Sequence, residues 1–366
     1  MKAKNPDWIV FFAVVSLMGF GIIMVFSATS VTAYQKYNDS FHFLKRQVIW
    51  VALALGVMFV LMQVDYHRWF AKTWQPISYL IFSLLLLGLV LIVGTEINGS
   101  KRWLSIGGFT FQVSEIAKLA MVMFTAWYLE KWHKHIRNFF VGLVPILSIL
   151  GLVCGLVLLE PDLGTTAVIG ATSFVMLFAA GARLIHLGSL TAISSPLAVY
   201  AMLSEPYRRK RIFAFINPWE DPQGTGFHII QSLYALGSGG LFGVGLGRSR
   251  QKFFYLPEPG TDFIFSVLGE ELGLVGASII IGLYFLFAWR GLMIALRAQD
   301  LLGSMLAVGI TTMITLQAIV NIGVVTGSLP VTGITLPFIS YGGSSLVFMA
   351  IGVGILLNIS RQASRQ

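Results

Sequence analysis

What most constrains this chain is a recurring pattern: about 20 residues at a time pass with almost no charge, the length an α-helix needs to cross a bilayer. These runs are continuous rather than alternating with period two. That points to helices, which satisfy their own backbone groups in hydrocarbon, and away from a barrel. Composition agrees. At 56% hydrophobic and 11% charged residues, with a mean hydropathy of +0.79, there is too little polar surface to cover a soluble globule. The sequence predicts an all-α polytopic integral membrane protein. Its ten transmembrane helices fall near residues 8–27, 47–63, 77–94, 113–129, 140–159, 165–181, 184–203, 263–289, 303–325 and 343–359. The MKAKNPD head lacks a small-residue cleavage pattern, so the first run is read as a retained helix.

The net charge of +9 acquires meaning from its location. With the N-terminus in the cytoplasm, Lys2, Lys4, Arg68, Lys72, Lys131, Lys134, Arg137, Arg183, Arg290, Arg297, Arg361 and Arg365 all fall on the cytoplasmic side. Only Asp7, Asp65, Glu130 and Asp300 oppose them there, so the positive-inside bias places both termini in the cytoplasm. No soluble basic module exists to bind nucleic acid. The single cysteine, Cys154, excludes internal disulfides and paired-cysteine metal sites. The six histidines show no metal-ligand spacing, and a GxxxxGK[ST] phosphate loop is absent.

The large extracellular loop between helices 7 and 8, residues 204–262, breaks the charge rule. It carries Arg208, Arg209, Lys210, Arg211, Arg248, Arg250 and Lys252 on the outer face. Such cations form either a collar for lipid phosphates or a site for an anionic ligand. Gly239, Gly240, Gly243, Gly245 and Gly247 precede the second basic cluster and would let backbone N–H groups approach a phosphate. The same stretch, with Leu241, Phe242 and Leu246, also suits a loop dipping into the headgroups.

Asp262 ends the loop where the next helix begins. It is either an ordinary N-cap or an acid poised at a membrane mouth to take a proton from a hydroxyl. Glu270 and Glu271 follow deeper in that helix, Glu270 about 12 Å below Asp262. Intramembrane acids normally face a polar interior. Glu115 and Lys118 share a helix face and are expected to neutralise each other or line a cavity. Residues 98–103, NGSKRW, are read as a turn leading into an interfacial amphipathic stretch, with Trp103 as an anchor. Asp162, in EPDLGT, can cap the sixth span. The last outer loop, SLPVTGITLPFISYGGSS, is read as irregular backbone packed on protein. Together these features describe an outward-facing cationic site for an anionic amphiphile, in an enzyme or a transporter.

Several ordered motifs carry a family resemblance. They are NGSKRW at 98–103, QVSEIAK at 112–118, EPDLGT at 160–165, PYRRKRI at 206–212 and NPWEDPQGTGFHIIQSLYALGSGGLFGVGLG at 217–247. SRQKFFYLPEPGTDFIF at 249–265 and NIGVVTGSLPVTGITLPFISYGGSSL at 321–346 complete the set. The chain resembles the SEDS family (shape, elongation, division and sporulation: RodA, FtsW, SpoVE) over nearly its whole length. GVVTGSLPVTGITLPF and DSFHFLKRQ are more similar to the FtsW/SpoVE branch, and Val113 stands where the motif usually has proline.

The resemblance implies one ten-span domain, 1–366, acting as a peptidoglycan glycosyltransferase that polymerises lipid II at the outer face of the bacterial cytoplasmic membrane. It implies a class B penicillin-binding protein as partner, alongside other division or elongation proteins. It also implies Asp262 as the catalytic acid/base residue. The substrate-binding set it implies comprises Trp103, Glu115, Lys118, Asp162, Ser249, Lys252 and Glu258, to which the external cations add Arg208 and Arg211 as expected stabilisers of a departing diphosphate. No cofactor is demanded; a divalent cation, Mg or Mn, could share the charge of a departing diphosphate, though no protein metal ligands are expected. The alternatives are a lipid II flippase, using the polar residues inside the spans, and a scaffold that only recruits the transpeptidase.

Overall fold

A helix forms at each of the ten apolar runs in the computed structural model, which describes residues 5–97, 100–106, 109–252 and 259–363. They are α1 (Trp8–Tyr37), α2 (His42–Gln63), α3 (Trp74–Val93), α4 (Val113–Lys131), α5 (Val144–Leu159), α6 (Leu163–Ala179) and α7 (Leu184–Leu203), followed by α10 (Ile264–Arg297), α11 (Leu301–Val325) and α12 (Gly343–Gln362). Among the described residues, seven are long and apolar enough to cross a membrane: α1, α2, α3, α5 with its preceding turn, α10, α11 and α12. The protein is therefore a multi-pass, all-α membrane protein. Each of the ten expected spans falls on a helix, though α4 and α6 fall short of that measure. α4 carries Glu115, Lys118, Glu130 and Lys131, and α6 has only 17 residues.

Aspartates start several helices by accepting from first-turn N–H groups, which have no partner inside the helix. Asp7 caps α1 through Ile9 and Val10, and Asp300 caps α11 through Gly303. The same two acids tie elements together. Asp7 accepts from Arg290 Nε of α10 at 3.0 Å, and Asp300 from the Tyr66 hydroxyl at 2.6 Å. α11 and α12 are the most enclosed spans. α12 packs on α2, and α11 on α10, α4 and α6, while α1 lies against α10 and α2. Large apolar residues such as Leu85, Ile92, Phe285 and Leu296 point outward, where lipid would cover them.

The structure differs from the sequence expectation in three places. The connection between α3 and α4 forms a three-stranded antiparallel sheet, where the sequence expectation held only a turn and an amphipathic stretch: β1 (Thr95–Ile97), β2 (Ser100–Ile106) and β3 (Phe109–Gln112), in the order β1-β2-β3. The segment after the seventh span is not a plain loop, because α8 (Pro206–Ile216) and α9 (Phe227–Gly239) lie within it. Finally, α10 continues to Arg297 but breaks at Gly273, where φ is 66°.

Candidate active site

Asp262 sits in the turn just before α10, and the N-cap position falls on Phe263, one residue later. Three consecutive carbonyls of this turn are held from outside. Gly260 O accepts from the Tyr341 amide at 2.8 Å, and Thr261 O from the Ser340 hydroxyl at 2.6 Å. Asp262 O accepts from Asn321 Nδ2 of α11 at 2.8 Å. The same Asn321 nitrogen donates to Ile334 O at 2.7 Å. Gly333 lies beside the carboxylate: its φ is +77°, and a Cβ built there would stand 3.7 Å from Asp262 Oδ2. The loop 331–341 therefore forms the wall against which Asp262 is set, as expected of irregular backbone packed on protein.

Below this turn lies the Glu115–Lys118 ion pair, buried, at 2.8 Å. It is not isolated. Lys118 Nζ donates to Gln317 Oε1 at 2.5 Å, and Gln317 Nε2 donates to Thr335 O at 3.1 Å, in the same loop that flanks Asp262. Burying two opposite charges is tolerable because each finds its partner, and a further ammonium proton finds Gln317.

A second polar centre surrounds the α5–α6 turn. Asp162 accepts from the Thr165 amide and the Thr165 hydroxyl, both at 3.0 Å, so it caps α6 as anticipated. Arg102 of β2 grips the turn by donating to Glu160 O at 2.8 Å and to Pro161 O, with Nη1 3.5 Å from Asp162 Oδ2. Gln112 Nε2 adds a 3.4 Å bond to Asp162 Oδ2. Trp103, the next residue, is half-buried in the sheet between Thr95 and Gln112. The α6 start also reaches the shared loop, since a Cβ at Gly164 would meet Ile334 Cγ1 at 2.6 Å.

Glu160 carries a carboxyl that is fully buried, and neither oxygen has a hydrogen-bond partner among the described residues. Burial pushes its pKa up to about 8; the charge of Asp162 adds to the rise, and Arg102 opposes it. From the other side, α8 contributes Arg208, which donates to Leu158 O at 3.4 Å, and the exposed Arg211, which donates to Val331 O at 3.3 Å. Arg211 also helps to hold the nearby His228 neutral: burial first, then that positive charge, lowers the histidine pKa.

Ser249 and Lys252 lie deeper, in a buried network with α10. The Ser249 hydroxyl donates to Glu270, and Lys252 Nζ reaches Glu271 Oε1 at 3.2 Å and Gly247 O at 2.7 Å. Ser27 of α1 donates to the same Glu271 carboxylate at 2.6 Å. In the glycine-rich stretch before them, N–H groups that the sequence suggests for an anion are bonded to protein at Gly243, Val244 and Gly245. The break at Gly273 frees the Glu270 and Glu271 carbonyls, and the Val244 and Gly245 N–H groups bond to them at 3.0 and 3.1 Å. In return, Gly240 O and Leu241 O accept from the Leu274 and Val275 amides at 2.9 and 3.1 Å. Those loop amides complete the broken helix. Glu258 lies outside the described residues. Among the described residues, no three or more His, Cys, Asp or Glu side chains gather to hold a metal ion.

The chain as a whole is similar to known proteins. A family model described as cell cycle protein, covering FtsW, RodA and SpoVE, matches residues 8–365. The chain belongs to the FtsW/RodA/SpoVE family. It is 51% identical over 361 residues to stage V sporulation protein E of Bacillus subtilis (strain 168), covering 98% of each chain. A probable peptidoglycan glycosyltransferase FtsW of Trichlorobacter lovleyi is 46% identical over 361 residues, 98% of this chain and 94% of that one. Among solved structures, a chain of a peptidoglycan synthase complex, studied for how it coordinates polymerization and crosslinking, aligns with a TM-score of 0.79 at 35% identity over 99% of both chains. The rod shape determining protein RodA of Thermus thermophilus aligns with a TM-score of 0.71 at 30% identity, covering 99% of this chain and 98% of that one. Higher identity to SpoVE and FtsW than to RodA agrees with the branch read from the last outer loop.

Within this SEDS chain, the shared loop brings together Asp262, the α6 start that Asp162 caps, Arg211 and, through Gln317, the Glu115–Lys118 pair. Ser249 and Lys252 are tied instead to the α10 break. Sequence reasoning passed over Arg102, Glu160, Gln317 and Asn321. For the carboxamides a signal was present: two amides four residues apart in an apolar helix mark one polar face. Asn-Gly at 98–99 and Gly-Gly at 107–108, flanking alternating residues, are hairpin signals for the sheet.

Proposed function

We propose that this SEDS protein polymerises lipid II into glycan strands at the outer face of the bacterial cytoplasmic membrane, with ten spans and both termini in the cytoplasm. Its partner is a class B penicillin-binding protein, whose transpeptidase crosslinks the product during division or sporulation, among other division or elongation proteins. The observation that carries this reading is the convergence of an acid, Asp262, and a guanidinium, Arg211, on the loop 331–341 at one end of an apolar bundle. The names of its relatives, several of them probable peptidoglycan glycosyltransferases, support the reaction class.

In the proposed reaction the Asp262 carboxylate removes the proton from the 4-hydroxyl of the acceptor sugar. The freed oxygen bonds to C1 of the donor, with inversion, as the C1–O bond to undecaprenyl diphosphate breaks and that oxygen keeps the electron pair. Arg208 and Arg211, with Lys252 further off, stabilise the charge that develops on the leaving diphosphate. Trp103, Glu115, Lys118, Asp162, Ser249 and Glu258 complete the proposed substrate-binding set. A divalent cation from solution would add to the arginines' effect. Undiminished polymerisation in chelator would remove it from the scheme.

Two arrangements favour an enzyme over a flippase. Lys118 is paired with Glu115 and Gln317, and Lys252 with Glu271, so both buried ammonium groups are engaged with protein rather than lining an open path for a headgroup. The decisive experiment measures glycan polymerisation from lipid II by the purified protein with its cognate partner. Asp262→Asn, which keeps the side-chain shape, is expected to slow it by about 10²-fold or more. Equal rates for both proteins, with equal folding and complex formation, would overturn the role of Asp262. If neither protein polymerises within an intact complex, transport or scaffolding becomes the better account.

A further inference from the structure

We propose that Gln317 and Asn321 of α11 are positioning residues that set Asp262 in its reactive place, acting on its peptide and on the wall beside it. This inference rests on the reading of Asp262 as the base. The two carboxamides lie one turn apart on a single helix face and are almost fully buried, at 2% and 1% exposure. Amides are costly in an apolar bundle unless their strong groups find partners; both groups of Gln317 do, and so does the Asn321 –NH₂, while Asn321 Oδ1 has none among the described residues.

The partners fix which way each amide points. Gln317 receives the Lys118 ammonium, so the atom facing it must be the carbonyl oxygen, and the –NH₂ is left for Thr335 O. Asn321 faces two peptide carbonyls, Asp262 O and Ile334 O, which only accept; its –NH₂ must serve both. One nitrogen thus bridges the turn that carries the acid and the loop that walls it, and Gln317 ties the next residue of that loop to the Glu115–Lys118 pair. A continuous path runs from the buried ion pair through Gln317, Thr335 and Ile334 to the Asp262 peptide.

Neither amide needs to touch substrate for this to matter. Base catalysis requires the carboxylate within hydrogen-bond reach of the hydroxyl, and a displacement of about 1 Å can cost on the order of 10²-fold in rate. Asn321→Asp keeps the shape and removes the donor. Gln317→Glu keeps an oxygen for Lys118 while removing the donor to Thr335, so the Glu115–Lys118 layer stays satisfied. Thr311→Val serves as the control: it lies on the same helix, and its buried hydroxyl has no partner among the described residues.

The test measures kcat and KM for lipid II polymerisation by the full chain in complex with its cognate transpeptidase, with thermal unfolding of each complex in parallel. Gln317→Glu and Asn321→Asp are expected to lower kcat by about 10-fold or more with KM nearly unchanged, and Thr311→Val to keep both. Asn321→Ala, which introduces no charge, should lower kcat in the same way. Wild-type kcat in the folded Asn321 and Gln317 variants would overturn the proposal. So would a joint loss of kcat, KM and melting temperature in all three, which marks a purely structural role. An Asp262→Asn protein that polymerises at the wild-type rate would instead overturn the role of Asp262, a failure visible in that variant alone.

Discussion

Glu160 shows how one buried group makes a membrane-mouth site sensitive to pH. Its carboxyl sits beside Asp162 under the grip of Arg102, with a pKa of about 8 against a usual value of 4.5. The folded protein therefore holds this proton more tightly than the unfolded chain does. The stability it contributes is full below about pH 4.5 and is lost as the pH rises toward 8. Glu160→Gln keeps a neutral side chain at every pH. The variant should unfold at a temperature less dependent on pH between 5 and 8, and above pH 8 it should be more stable than wild type. Thermal unfolding in detergent across that range checks this, and parallel curves for both proteins would refute it. The polymerisation test on Asp262 belongs to the same scale, because it too asks what one carboxyl does.

At the scale of elements, the break in α10 explains why a glycine-rich loop enters an apolar bundle. A helix interrupted inside hydrocarbon exposes backbone groups that water cannot reach, so protein must satisfy them. The stretch 240–245 does so, and Gly243 makes the close approach possible. Its φ is +80°, and a Cβ there would lie 2.2 Å from Glu271 O. Gly243→Ala should cost more than about 1–3 kcal/mol, since backbone strain and a clash with main chain add. The loss should appear as a lower unfolding temperature and as increased proteolysis between α9 and α10. A variant as stable as wild type would show that the loop can leave the break without penalty.

For the whole molecule, the end opposite Asp262 is tied together by acids that each do two jobs. Asp300 caps α11, accepts from Tyr66 and meets His67 Nε2 at 2.9 Å, which joins the α2–α3 turn to α11. Burial works to lower the His67 pKa, but hydrogen bonds to Asp65 and Asp300 and their charges outweigh it and raise the value. Stability from this contact is thus present at acidic pH and lost as the pH rises through the raised pKa. Asp300→Ala removes the cap and a buried hydroxyl's acceptor together and should destabilise by about 2–3 kcal/mol. Chemical or thermal unfolding measures the loss; a change within error would show that water replaces both contacts.

The places and type of the spanning helices were legible in the sequence because a bilayer imposes a length and a polarity that no neighbouring residue can override. Asp162 as the cap of α6 and Glu115 with Lys118 as a pair were legible too, since a cap and an i, i+3 ion pair need only residues close in sequence. Other features depended on tertiary structure. The sheet of β1, β2 and β3 needed strand partners, which turn signals alone do not name. The glycine stretch 239–247 suggested an anion cradle, and only the break at Gly273 shows the carbonyls that take the Val244 and Gly245 N–H groups. Arg102, Gln317 and Asn321 gain meaning only from partners 13 to 199 residues away along the chain, as in Asn321 with Ile334 and Gln317 with Lys118. Local pattern sets which elements form and how polar they are. Which carbonyl a buried amide will face, and so where the Asp262 turn is held, is decided by long-range packing.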